Sequence, residues 1–225
     1  MLKAFSAVFL SMTVMAGCSS GEKADIPEPA ASASQSASAD AARLRAALLP
    51  LPKGMKVAYG PETGAYGTLT STKQGMEAVR QAKLEHPECA GAAQLDVARP
   101  EIAEAPAAAV GYTSSRGSIT QAVVALSPEA FPGPLPSQCD AYQAEVRGTQ
   151  VVYRTRDLRM PRQGDESRAY ITTASGGDRQ AQIGTVTIRR GGMVMNLVVV
   201  GNEVKREGLL ELGKLADQNL AQAAA

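Results

Sequence analysis

The sequence predicts an α+β domain, a twisted and mainly antiparallel sheet with helices packed on one face. Three observations predict it. Apolar residues recur at helical spacing at both ends of the folded region, over 41–49 and 207–222. Alternating or continuous apolar runs separated by glycine turns fill most of the second half. Nowhere do strands and helices alternate as a doubly wound parallel sheet requires. With six Tyr, three Phe and no Trp in 225 residues, the core must be built from Val, Leu, Ile, Met and Ala.

The elements follow in order. Asp40 is placed to cap a helix over AARLRAALL, through about Leu49, and Pro50 and Pro52 end it. MKVAY (55–59) reads as a short strand, and GPETGAYGT (60–68), with its three glycines and a proline, as a loop. KQGMEAVRQAKLE (73–85) reads as a helix, with Met76, Val79 and Lys83/Leu84 spaced along one face. His86-Pro87 stops that helix, and Cys89 falls in a short helical segment reaching about Val97. AAAVGYTS (107–114) and SITQAVVAL (118–126) form a hairpin around Arg116-Gly117.

PSQCDAYQAEV (136–146) reads as a helix with Cys139 and Tyr142, three apart, on one face. TQVVYRTRDL (149–158) and SRAYITTA (167–174) read as strands. AQIGTVTIRRGGMVMNLVVVG (181–201) is the clearest hairpin: Val186 and Ile188 alternate with Thr185 and Thr187, and Gly191 or Gly192 supplies the positive φ of a tight turn. Met193 to Val200 is apolar at seven of eight positions, as in a central strand buried on both faces. EGLLELGKLADQNLAQ (207–222) closes the chain as a helix with a Leu209, Leu212, Ala216, Leu220 stripe.

Residues 1–17 read as a signal peptide: Lys3, an apolar run from Ala4 to Met15, and a small-residue exit. The run is too short to cross a bilayer, which takes about 20 residues. Met15-Ala16-Gly17-Cys18 resembles the lipobox of bacterial lipoproteins, with Met15 where Leu is usual. That resemblance implies a diacylglyceryl group on the Cys18 thiol, cleavage just before it, and often acylation of the new amine by a palmitate-type chain. An ordinary signal peptide with an incidental cysteine is the alternative. Two or more acyl chains, at about 0.8 kcal/mol per buried methylene, anchor a protein stably. The expected location is the outer face of the cell membrane, held through Cys18.

After Cys18, residues 19–40 are rich in Ala, Ser and Pro, with Ile26 the one large apolar side chain. Residues 18–40 thus read as a disordered tether, 41–222 as a single domain, and 223–225 as a disordered tail. If Cys18 carries lipid, Cys89 and Cys139 are the remaining pair, and an oxidising compartment favours a disulfide between them. Two separate buried thiols are the alternative.

Of 23 Lys+Arg and 22 Asp+Glu, only Lys3 lies in residues 1–17, so the rest of the chain is electrically balanced. Balance excludes the basic footprint of a nucleic-acid binder. Catalytic groups are few. His86 is the one histidine, readable as a general base or, preferably, as a helix-capping or surface residue. Neither Gly-x-Ser-x-Gly nor Ser-x-x-Lys occurs, and no glycine-rich phosphate loop. One histidine and committed cysteines argue against zinc, and no metal or cofactor is expected. GDES (164–167) brings Asp165, Glu166 and Ser167 together, best read as a turn with an Asx-type hydrogen bond. Arg154, Arg156, Arg159, Arg162 and Arg168 stand against Asp157, Asp165 and Glu166. They would dock an anion or, preferably, protect a solvated strand edge from pairing.

Several stretches together resemble the extracellular sensor domain of actinobacterial receptor serine/threonine kinases, found also in free-standing lipoproteins. They are LLPLPKGMKV (48–57), PEC (87–89), Cys139 in its expected helix, GTQVVYRTRDLRMPRQGDES (148–167) and MVMNLVVVG (193–201) before a helix. The resemblance implies a disulfide stapling helices to the sheet and a ligand-binding cleft. Kinase sensors carry two disulfides, and only one is possible here. The expected function is a non-catalytic binding or sensing module at the cell envelope, with an envelope ligand or protein partner that the sequence does not identify. A lipid carrier with an apolar cavity, or an envelope-acting enzyme, is the alternative.

Overall fold

The computed structural model describes residues 30–90 and 95–224. Its main elements are α1 (Ala30–Ala46), β1 (Lys56–Ala65), α2 (Thr70–Arg80), β2 (Ala82–Leu84), α3 (Pro100–Ala103), β3 (Pro106–Ser114) and β4 (Gly117–Ala125). They continue as β5 (Ala141–Val146), β6 (Thr149–Asp157), β7 (Glu166–Gly176), β8 (Arg179–Arg190), β9 (Met193–Gly201) and α4 (Arg206–Ala224). All nine strands join one sheet in the order β1-β3-β4-β9-β8-β7-β6-β5-β2. Every neighbouring pair is antiparallel. The expected α+β class is the observed one.

The core sits around β9, which lies between β4 and β8. Met193 through Leu197 are buried without a break, because helices cover one face here and loops the other. On the first face, Leu44 of α1 and Leu209, Ala216 and Leu220 of α4 pack on Val110, Val123, Val186, Ile188, Met195 and Leu197. Gly213 lets α4 come close: a Cβ there would sit 3.1 Å from Val186 Cγ1. Arg190 of β8 clamps the same helix with a forked pair of bonds to Asp217, at 2.9 and 3.0 Å from Nη2. On the opposite face a smaller cluster covers Ala107, Ala109, Ala122, Val124 and Val194, built from Tyr66, Leu69, Leu95 and Ile102. The short α3 and the turn at Tyr66 thus add a second, partial cover to the one the long helices provide.

Both strong hairpins form as expected, β3–β4 and β8–β9, the latter turning at Gly191 with φ +56°. Other segments differ from the sequence reading. α1 starts at Ala30, so the backbone of 30–40 is helical instead of disordered, and Asp40 lies inside the helix, ion-paired to Arg43 at 3.1 Å. Alanine-rich sequence favours helix strongly enough for this extension. The tether residues before Ala30, the signal peptide and Cys18 lie outside the described residues. α4 runs through Ala224 into the expected tail.

β1 continues through the expected loop to Ala65, with register shifts around Tyr59 and a positive φ at Gly60. Pairing with β3 supplies the backbone partners that a free loop would lack. The helix expected over 73–85 ends at Arg80, since Lys83 and Leu84 pair with Glu145 and Ala144 of β5. β5 itself replaces the helix expected over 136–146. Ala, Gln and Glu in that segment favour helix, but β5 is bonded on both sides, to β2 and to β6. Its Tyr142 ring stacks on Tyr153 with centroids 5.0 Å apart.

Candidate functional site

Cys89 and Cys139 form a disulfide with Cα atoms 5.3 Å apart. Both are buried, and each ends a single 3-10 turn, Pro87–Cys89 after β2 and Ser137–Cys139 before β5. The bond therefore closes the far end of the sheet, where β2 and β5 pair, and joins two turns where a helix-to-sheet staple was expected. His86 precedes the first turn on the surface, its Nδ1 3.4 Å from a Glu88 carboxylate oxygen. It caps no helix, because β2 and not a helix comes before it. The Glu88 carboxyl is held below its ordinary range, first by its own backbone N–H and then by the Gln138 side chain. Among the described residues, no three His, Cys, Asp or Glu side chains gather as metal ligands would.

The arginine-rich segment resolves into two groups. Arg154 and Arg156 project from β6, which is an interior strand between β5 and β7, so the strand-edge reading does not hold for them. Arg159 contributes its carbonyl oxygen, which accepts a bond from Arg206 Nη2 at 2.9 Å. Beyond the end of β6 the chain loops back to start β7, and there it surrounds an open depression of about 330 Å³. Its walls are Met160, Arg162, Asp165, Glu166, Ser167 and Arg168.

Local backbone chemistry builds this depression. Gly164 adopts φ +56°, and a Cβ there would collide with the carbonyl oxygen of Arg189. That contact lays the loop against β8, and the Asp165 N–H donates to the same oxygen at 2.8 Å. Glu166 lies directly opposite Arg189 in the β7–β8 ladder. Arg189 Nη1 reaches Asp165 at 3.2 Å and Nη2 reaches Glu166 at 2.9 Å, so one guanidinium bridges both acids and balances one of their two charges. Only 14% of the Arg189 side chain is exposed, while the two carboxylates it bridges are nearly half exposed, at 47% and 44%. Asp165 Oδ2 also accepts the Gly191 N–H at 2.7 Å, tying the loop to the β8–β9 turn instead of making the local Asx turn expected.

Arg168 projects beside Phe131, its guanidinium carbon 5.4 Å from the ring centroid, in cation–π range. Its Nη1 is buried with no hydrogen-bond partner. Arg162 Nη2 donates to the Asp165 carbonyl oxygen at 3.2 Å. Ser167 Oγ accepts the Gln163 N–H at 3.2 Å, leaving its own proton to donate. Phe131, Gly164 and Arg189 were not singled out in the sequence. Arg189 was findable: aligning SRAYITTA against AQIGTVTIRR as a hairpin puts its charge across from Glu166. Phe131 carries no such local pattern.

A second depression, about 240 Å³, lies between α1 and β1 and includes Leu44, Gly64 and Glu104. Its walls are mostly apolar or backbone, with one titratable side chain.

No protein-family model and no curated protein matches the chain. Among solved structures, the extracellular domain of PknH from Mycobacterium tuberculosis is similar, with TM-score 0.53 at 14% identity over 81% of this chain and 95% of that one. An uncharacterised protein from Mycobacterium smegmatis, the Rv0999 ortholog, aligns with TM-score 0.47 at 14% identity over 83% of this chain and 96% of that one. The chain therefore has the fold of the PknH extracellular domain.

Proposed function

We propose that this chain is an extracytoplasmic, non-catalytic binding or sensing module, anchored to the outer face of the membrane by lipid on Cys18. The observation that carries the reading is the buried Cys89–Cys139 disulfide in a fold shared with an extracellular domain. Such bonds persist in oxidising compartments, outside the cytoplasm. The Met15-Ala16-Gly17-Cys18 motif supplies the anchor, and the residues after it the spacer between membrane and domain. Binding, rather than reaction, suits a depression whose two acids are both engaged by Arg189, in a chain whose one histidine stands apart at the disulfide turn. The charged walls of the depression of about 330 Å³ favour a small polar ligand there over a long acyl chain.

Fractionation tests the anchor. The Cys18→Ser variant is expected to leave the membrane fraction for the soluble one, while the native chain stays with the membrane and partitions into detergent. Unchanged membrane association of the variant would overturn the reading.

A further inference from the structure

From the depression at the start of β7 we infer a phosphate-binding site, with the Arg168 and Arg162 guanidinium groups as its principal ligands. This deepens the binding reading above and rests on it.

Four observations lead here. Arg162 and Arg168 both line the depression, and among the described residues neither is ion-paired. The two acids in the same walls, Asp165 and Glu166, are both held by Arg189, and Asp165 also takes the Gly191 N–H. Glu129 also lies within Coulombic reach of Arg189, so that guanidinium is committed to acids, and the cations left to meet an anion are Arg162 and Arg168. Arg168 is pre-positioned on Phe131 and carries a buried, unpartnered Nη1. A buried donor without an acceptor is costly, more so when charged, and an incoming anion relieves part of that cost.

The donor set selects the anion. The donors are two planar guanidinium forks, those of Arg162 and Arg168; Ser167, next to Arg168 in β7, faces the other side of the sheet and is not among them. A phosphate group presents three terminal oxygens to such donors and pairs with arginine bidentately. A carboxylate, with two oxygens in one plane, would leave donors unused. Arg154 and Arg156 offer equal charge on β6 but line no depression among those described, so charge alone does not define the site.

The test is calorimetric titration of the full-length native protein in neutral detergent micelles. Inorganic phosphate and glycerol 3-phosphate probe a soluble ligand; phosphatidylglycerol added to the same micelles probes a lipid headgroup; acetate is the comparison anion. Saturable binding is expected in at least one phosphate arm, and the responding arm identifies the source. Arg168→Met, which keeps the apolar stem against Phe131, should weaken that binding about tenfold or more, as loss of charged hydrogen bonds predicts. Arg162→Gln removes an exposed side chain and gives the same readout if Arg168→Met fails to fold. Absence of binding in both phosphate arms, undiminished binding by both variants, or acetate bound as tightly as phosphate would overturn the inference. Failure of the anchor is separable: membrane retention of Cys18→Ser would leave this titration unchanged.

Discussion

The side-chain oxygen of Gln121 accepts the backbone N–H of Leu49 at 2.6 Å, inside the core between α1 and the sheet. Leu49 belongs to the three residues that leave α1; the Leu48 N–H still bonds back to the Arg45 carbonyl at 3.2 Å, but the carbonyls of these residues lie past the helix. Neighbouring side chains supply their partners. Gln121 Nε2 donates to the Ala47 carbonyl at 3.4 Å, Tyr112 donates its hydroxyl proton to the Leu49 carbonyl at 2.6 Å, and Asn219 Nδ2 donates to the Leu48 carbonyl at 3.0 Å. The end of α1 is thereby fastened to β3, β4 and α4 at once.

Gln121 is fully buried, so replacing it strands the Leu49 N–H away from water. Gln121→Leu is expected to lower unfolding stability by about 1–3 kcal/mol, the cost of an unsatisfied buried donor. Urea denaturation of native and variant protein measures it, and unchanged midpoints would contradict the role given to this bond.

The disulfide closes a loop with a sequence separation of 50. In the chain-entropy account such a loop is worth about 4 kcal/mol, through the conformations denied to the unfolded chain. Cys139→Ser, or reduction of the native protein, should lower the thermal midpoint accordingly. Mass spectrometry of the unreduced protein should find one Cys89–Cys139 linkage, whereas two free thiols would refute it.

Tyr66 is buried beneath the smaller core cluster, and burial pushes its phenol up to about 12 from an ordinary 10.0. A raised pKa in the folded state means that its contribution is intact below the unfolded value and is lost as pH rises through the folded one. The window is therefore pH 10 to 12, and the loss reaches about 2 kcal/mol at its upper end. Tyr59, Tyr112, Tyr142 and Tyr153 are shifted the same way, each chiefly by burial. Denaturant unfolding at pH 9 and pH 11.5 should show weaker stability at the higher pH, with a smaller decline in Tyr66→Phe. Equal declines in both proteins would remove Tyr66 from the explanation.

Part of the candidate site was legible in sequence and part was not. Arg162, Asp165, Glu166, Ser167 and Arg168 stand within one short segment, so their charge and proximity could be read directly. What separates Arg162 and Arg168 from Arg154 and Arg156 is the end of β6, which lies in the pairing of strands rather than in composition. The bridging Arg189 comes from the next strand, 23 residues beyond Glu166.

By itself the sequence determined the α+β class, the β3–β4 and β8–β9 hairpins and α4, and offered Cys89 and Cys139 as a pair if Cys18 is set aside, with the bond itself decided by the tertiary structure. The first signals are local: turn glycines, alternation and a helical stripe each act within one segment. Only the tertiary structure decided β2, β5 and the long course of β1. Lys83 of β2 meets Glu145 of β5 across 62 residues of chain, and Tyr142 gains its stacking partner only when β6 lies alongside. Segments with weak or helix-leaning propensity became strands because neighbouring strands offered them hydrogen bonds and burial that isolated turns of helix could not.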